Sequence, residues 1–366
     1  MSAEDKIRFI DDDIAVTEIC EQLKCAQTVA VDTEFINSEA DKCSGHKLCL
    51  IQMATDEAIF VIDPLNCDVE ALKDIFGNPE IKKIFHSAHM DLEVLRMSGF
   101  VVDNYYDTQL AEMFLSTQRE VSYQFLVQKY LNKSIAKGET LSDWSARPLS
   151  KKQMTYAAND VLYLKEIFLK QQTQLASLNR IGWLNEDLEH MRMHFCKEEE
   201  SVEDLEESTM HKLLKLREKM AEEKNIRPSD VVKNVTLHTL YRKGFDAIKR
   251  SHLMKRHAHL KEFIEQAETS IKISKNSTNA NFPGELLHML IVLLNICGNR
   301  NGICPTLIAN KNNLKDFLKK YAENSEDYSS IKFMHGWRHE IFGQYTLKLL
   351  AGSIKLYVNK NEAEFE

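Results

Sequence analysis

The sequence predicts an α/β domain, a mixed sheet with helices packed on it, followed by an all-helical remainder. Three observations lead there. Compact apolar strands come early, at residues 29–35, 48–55, 58–63 and 81–86, and alternate with helical periodicity, the order expected of a sheet covered by helices. Beyond the acidic run at 197–207 every periodic stretch reads as helix. The charge also divides: residues 1–190 carry 19 basic and 31 acidic side chains, 191–207 carry 2 and 7, and 208–366 carry 26 and 17. An acidic front and a basic back point to different jobs.

Taken in order, residues 14–23 form a first amphipathic helix. Val29-Ala-Val-Asp-Thr-Glu-Phe35 is an apolar strand with acids near its end. Residues 48–55 and 58–63 read as a hairpin with Asp56-Glu57 at the turn. A helix over 69–76 leads to a short buried strand at 81–86, then to helices at 91–97 and 108–115. One long helix is expected from Ser150 to about residue 175, with Ser150 as N-cap and Gln153 at capping-box spacing. The acidic run 197–207 is the linker candidate. After it, short amphipathic stretches gather around Pro228 and again around Pro305. The longest apolar run, 286–297, is interrupted by His288 and Asn295, is too short for a bilayer and reads as a buried helix.

The 366 residues allow two or three domains, and 43% apolar with 28% charged residues describes a soluble globular chain. Only 12 Gly and 6 Pro argue against a turn-rich all-β fold. The acidic start lacks the apolar core of an export signal, and none of the eight cysteines forms a C-x-x-C pair, so a reduced, cytoplasmic protein without membrane partners is expected.

The chemistry is carried by carboxylates. Asp32 and Glu34 are two apart on a strand and share a face, where they repel unless a cation or proton lies between them. Tyr156 and Asp160 are four apart and share a helix face. Asp91 follows the strand ending at His86 and opens a helix, ordinarily the place of a cap or dipole partner. Each motif alone is weak, because acids at strand ends and helix starts are common. Together they make a cage of hard oxygen ligands suited to Mg²⁺ or Mn²⁺. Two such ions, roughly 3.5–4 Å apart, can clamp the attacking and leaving oxygens of a phosphodiester. The Tyr156 hydroxyl could aim the attacking water.

Val31-Asp-Thr-Glu-Phe35, His86-Ser-Ala-His-Met-Asp-Leu-Glu-Val-Leu95 and Tyr156-Ala-Ala-Asn-Asp-Val-Leu-Tyr-Leu164 resemble the three motifs of the DEDDy exonucleases, and most of all the ribonuclease D family. Leu50-Ile-Gln52, Ile62-Asp-Pro-Leu65, Asp107-Thr-Gln109 and Ser142-Asp-Trp-Ser-Ala-Arg-Pro-Leu149 are similar as well, so the resemblance covers about residues 7–190. It implies a ribonuclease H-like fold with a five-stranded mixed sheet. It implies that Asp32, Glu34 and Asp160 hold a first metal, that Asp32 bridges to a second, and that Asp91 supports the second through water. Tyr156 would orient the nucleophilic water, as in the tyrosine version of the class.

The segment 241–261 contains seven Lys/Arg and one acid and could track a phosphate backbone. Arg242, Lys243, Lys249, Arg250, Lys255 and Arg256 are its candidate substrate contacts, and His86 is one beside the carboxylates. Residues 208–272 resemble an HRDC domain through Arg227-Pro-Ser-Asp-Val-Val232 and Leu237-His-Thr-Leu240, with a first helix that looks shortened. Residues 280–366 resemble a second such domain through Ile303-Cys-Pro-Thr-Leu-Ile308 and Gly336-Trp-Arg-His-Glu340. Trp337 reads as a packing residue. His252, His257 and His259 lack zinc-ligand spacing. Residues 1–195 form the expected exonuclease domain.

The expected protein is therefore a monomeric 3′→5′ exoribonuclease that releases nucleoside 5′-monophosphates. By the resemblance its substrates are precursor tRNAs with 3′ trailers. A 3′→5′ DNA exonuclease of the same fold, or a catalytically silent RNA-binding protein, are the alternatives. The four carboxylates weigh against the silent one.

Overall fold

Apolar residues on β2 (Thr28–Asn37), β3 (His46–Ala54), β4 (Ile59–Ile62) and β5 (Lys82–Phe85) build the centre of a sheet whose edges are β1 (Ile7–Ile10) and β6 (Tyr105–Asp107). The computed structural model describes residues 6–37, 46–135, 138, 142–196, 209–224, 226–249, 259–270, 282–325, 327–360 and 362–366. The strand order is β1-β4-β3-β2-β5-β6. The β2–β3 and β3–β4 pairs are antiparallel, and β1–β4, β2–β5 and β5–β6 are parallel, so the sheet is mixed as expected. It has six strands where five were expected. The two edge strands escaped pattern reading for a physical reason. β1 buries only its last residue, Ile10, and β6 is three residues long, so neither shows a full alternation. The predicted hairpin is present, its turn closed by Thr55 N–H donating to Ala58 O at 2.9 Å.

The helices of this region are α1 (Asp13–Lys24), α2 (Lys73–Phe76), α3 (His89–Met97), α4 (Thr108–Met113), α5 (Tyr123–Leu131), α6 (Lys151–Leu162), α7 (Leu164–Ser177) and α8 (Ile181–Cys196). The single long helix expected from Ser150 is in fact two. It breaks at Tyr163, whose N–H leaves the helical ladder and donates to the Tyr123 hydroxyl at 2.9 Å. No Pro or Gly marks this break, and its partner lies 40 residues away, so local reading could not find it. The Ser150–Gln153 capping box at the start of α6 is present with both of its hydrogen bonds.

The described chain falls into two compact units: Met1–Cys196 with Gly284–Phe317 and Glu326–Glu366, and Lys197–Pro283 with Leu318–Ser325. The second unit is helical, with α9 (Thr209–Lys224), α10 (Pro228–Val231), α11 (Asn234–Lys243), α12 (Phe245–Lys249) and α13 (Leu260–Ser270). Leu213, Met220, Val231, Leu237, Leu240, Phe263 and Ile264 form its core. The linker candidate 197–207 lies outside the described residues.

Of the carboxy-terminal segment, read from sequence as one domain over 280–366, Gly284–Phe317 and Glu326–Glu366 group with the first unit and Leu318–Ser325 with the second. Its apolar run forms α14 (Gly284–Asn301), and Leu287, Leu290, Leu293 and Cys297 are buried as expected. Trp337 stacks on Trp183 of α8 at 4.9 Å between ring centroids. Arg338, 1% exposed, donates to Asp187 of α8 at 2.7 Å, and Cys304 N–H donates to Met113 O at 2.9 Å. A hairpin of β7 (Leu356–Asn359) and β8 (Glu362–Phe365) closes the chain, with Arg300 of α14 over the Phe365 ring at 4.1 Å. No described helix is long and apolar enough to cross a membrane.

Candidate metal centre

β2 places Asp32 and Glu34 on one face, and the β2–β3 register sets Asp32 against Gln52 and Glu34 against Leu50 before it shifts between Glu34 and Phe35. β5 pairs with β2 only through residues 28–30. Beyond that point the β2 edge has lost its strand partner and its backbone groups need another. Asp91 of α3 supplies one: its Oδ1 accepts from Thr33 N–H at 3.1 Å and from Thr33 Oγ1 at 2.6 Å. Asp91 is thereby buried beside the two β2 acids, to 7% exposure.

α6 crosses β2, β3 and β4 and brings Asp160 to the same place. Asp32, Glu34 and Asp160 each offer an oxygen, and these atoms all lie within 4.8 Å of one another. Tyr156, one turn earlier, hydrogen-bonds the Asp160 carboxylate through its hydroxyl. The Tyr156 ring has Trp144 at 6.0 Å between centroids. A Cβ on Gly138 would stand 2.6 Å from Tyr156 Cδ2, so only glycine lets that backbone lie against the ring.

Two supports went unassigned in the sequence. Asp107 accepts from four backbone N–H groups, those of Ser87 (2.9 Å), Ala88 (3.0 Å), Gln109 (2.8 Å) and Leu110 (3.3 Å). It caps α4 and at the same time ties down the turn that launches α3 and Asp91. Ser87 in that turn has φ 61°, a left-handed conformation unusual for serine. Arg147 forks onto Asp63, with Nη2 to Oδ1 at 2.6 Å, and also donates to Cys49 O and Trp144 O, each at 2.8 Å. This clasp holds the segment that leads into α6 against β3 and β4. Both residues fell within segments that resembled the family, but their pairing across 84 positions has no local signal.

Burial and crowding change the acids. Burial, with the charges of Asp91, Asp160 and Glu34 added, pushes the Asp32 carboxyl well above its usual range. Glu34 is pushed up to about 9 by burial and then by Asp160 and Asp91. Burial also raises Asp91 and Asp160, against the hydrogen bonds that Thr33 gives the first and Tyr156 gives the second. A group of acids whose charges oppose one another so strongly is complete when cations share its oxygens. The donor set, carboxylate oxygens only, fits hard divalent ions.

His86 stands apart from this cluster in its bonding. Its Nδ1 lies 3.0 Å from Thr108 Oγ1, it also bonds the Val121 carbonyl, and its ring faces Tyr123 at 5.7 Å. Burial lowers its pKa. Arg242 and Lys243 end α11, Lys249 is exposed and paired with Glu268 at 2.6 Å, and Arg250, Lys255 and Arg256 lie outside the described residues, as do His252 and His257.

Residues 7–176 match the family model of a 3′-5′ exonuclease domain. More than nine-tenths of the chain is similar to proteins named ribonuclease D. That of Bartonella henselae is 28% identical over 93% of this chain and 89% of its own length. That of Jannaschia sp. is 29% identical over 92% and 93%. That of Zymomonas mobilis is 28% identical over 97% and 96%. The crystal structure of Escherichia coli RNase D, an exoribonuclease involved in structured RNA processing, superposes with a TM-score of 0.70 over 94% of this chain and 99% of that one, at 24% identity. That likeness is one of fold.

Proposed function

We propose that this chain, a 3′→5′ exoribonuclease of the ribonuclease D family, works with Mg²⁺ or Mn²⁺ held by Asp32, Glu34, Asp160 and Asp91, releases nucleoside 5′-monophosphates, and matures tRNA 3′ ends. The observation that carries the site assignment is the convergence of Asp32, Glu34 and Asp160, from a strand and a helix, to within 4.8 Å. A pair of divalent ions, when bound, stabilises the charge on the attacking and leaving oxygens of the phosphodiester.

The chain's own residues do the rest. Asp32, Glu34 and Asp160 would hold the first ion, and Asp32 with Asp91 would serve the second. Thr33 fixes the direction of Asp91 through two hydrogen bonds. The Tyr156 hydroxyl, tied to Asp160, holds the attacking water in line. The helical unit 209–270 acts as an HRDC-like RNA-binding part, with Arg242, Lys243, Lys249, Arg250, Lys255 and Arg256 contacting phosphates. His86, bonded to Thr108 and Val121 with its ring toward Tyr123, contacts the substrate. The protein acts in the cytoplasm as a monomer.

The test is degradation of 5′-labelled single strands by purified protein. RNA should shorten stepwise from the 3′ end with Mg²⁺ or Mn²⁺, stop in EDTA and resume when metal is restored. A tRNA precursor with a 3′ trailer should be trimmed to its mature end. Undiminished cleavage in EDTA would refute the metal assignment. DNA degraded in preference to RNA would refute the substrate.

A further inference from the structure

Gln52 lies two residues before the end of β3 with no exposed surface, and neither its amide nitrogen nor its amide oxygen has a hydrogen-bonding partner among the described residues. Buried polar groups are normally satisfied, and each exception calls for a reason. Its surroundings narrow that reason. In the antiparallel β2–β3 register Gln52 stands directly opposite Asp32, so the two side chains share a face at neighbouring distance. Its partner on the other side is Val61 of β4, and along β3 the same face continues with Leu50 and Ala54. α6 lies on this face, since it brings Asp160 to Asp32 and Glu34, and it buries Ala157, Ala158 and Val161 there. Among Gln52's register partners and the residues two away along β3, Asp32 alone carries a polar side chain.

We propose that Gln52 is a positioning residue for Asp32: its amide N–H donates to the Asp32 carboxylate when that group holds cations, and so fixes the orientation of this ligand. The inference rests on the metal reading given above. Groups that hydrogen-bond a metal ligand from behind orient it and raise metal affinity, and their loss weakens binding by about 10–100-fold. A glutamine kept dry among Leu50, Ala54 and Val61 has a use if its amide serves Asp32, the one polar side chain beside it. A purely structural residue at this position would do better as a methionine or leucine, which fill the same space and leave no amide unbonded.

The experiment compares wild type with Gln52→Met and Gln52→Leu, by Mn²⁺ binding in titration calorimetry and by thermal melting in EDTA. The expected result is Mn²⁺ binding weakened at least ~10-fold in both variants, with melting in EDTA unchanged or raised. Mn²⁺ affinity equal to wild type would overturn the proposal, as would a melting temperature lowered equally with and without metal, which assigns Gln52 to the fold. A wild-type protein that binds no Mn²⁺ would remove the metal reading together with this inference, whereas equal binding by wild type and variants removes this inference alone. Should the variants not fold, the wild type still decides: Mg²⁺ should shift the Gln52 side-chain amide resonances, assigned by selective labelling, and unmoved resonances would overturn the proposal.

Discussion

Asp32 and Asp160 lie in a group of four acids that burial and mutual repulsion hold well above their ordinary pKa values. Replacing either by Asn keeps the shape and removes a charge. Asp32→Asn or Asp160→Asn should therefore nearly abolish hydrolysis yet raise the melting temperature in EDTA, by about 2–4 °C for each kcal/mol of relieved repulsion in a unit of this size. Parallel activity and melting measurements check this, and retained turnover in either variant would contradict the ligand assignment. Tyr156 makes a different case. A phenol with an unperturbed pKa near ~10 is a poor general base at neutral pH, but its hydroxyl is tied to Asp160 and can align a water. Tyr156→Phe should leave metal and RNA binding intact and slow single-turnover cleavage by roughly 10–10⁴-fold, the range a positioned polar group contributes. A wild-type rate would mean that Tyr156 only packs against Trp144 and the backbone at Gly138.

Two devices govern how α6 reaches the sheet, one local and one between distant residues. The Ser150 cap sets its first turn, and the Arg147–Asp63 clasp fixes the segment before it. Asp63 is fully buried, so removing Arg147 leaves a carboxylate without its cation. Arg147→Met should destabilise the protein by about 3–5 kcal/mol, the cost of breaking a buried pair from one side. Ser150→Ala should cost only about 1 kcal/mol. Urea unfolding of both variants gives the comparison. Arg147→Met combined with Asp63→Leu should recover part of the loss, because no charge is then stranded; a double variant no better than the single would show that the clasp is not the source of the effect.

At the level of the chain, most of the carboxy-terminal segment, Gly284–Phe317 and Glu326–Glu366, belongs to the same unit as the exonuclease region. Trp337 covers Trp183, Arg338 neutralises Asp187 together with Lys332 at 2.8 Å, and Arg180 donates to the carbonyls of Phe114 and Asn301. A fragment ending at residue 200 would expose Trp183 and leave Asp187 without either cation. It should melt well below the full chain, and differential scanning calorimetry will show whether it does; equal melting temperatures would mean these interactions contribute little. The helical unit is tested separately. Replacing Arg242, Lys243, Arg250, Lys255 and Arg256 by Gln should weaken tRNA binding and lower the slope of log K against log salt, by about 0.7–0.9 for each phosphate that is no longer neutralised. An unchanged slope would place RNA binding elsewhere.

The sequence by itself determined the central strands, most of the helices and the acids that make up the candidate site. The i, i+2 acids on β2, the i, i+4 Tyr156–Asp160 pair and the Ser150 capping box are properties of strand and helix periodicity, so a short window suffices to see them. The helical run at 286–297 and the 56–57 hairpin turn were legible for the same reason. Only the tertiary structure decided what depends on distant partners. Tyr163 breaks a helix because a tyrosine 40 residues earlier takes its amide. Asp107 holds α3 as well as α4, and Arg147 finds Asp63 across 84 residues. The edge strands β1 and β6 exist because the central strands offer them a ladder, not because of their own pattern. Gln52 gains meaning only from a register that sets it opposite Asp32, because cross-strand neighbours are fixed by pairing and pairing is not written in either strand alone.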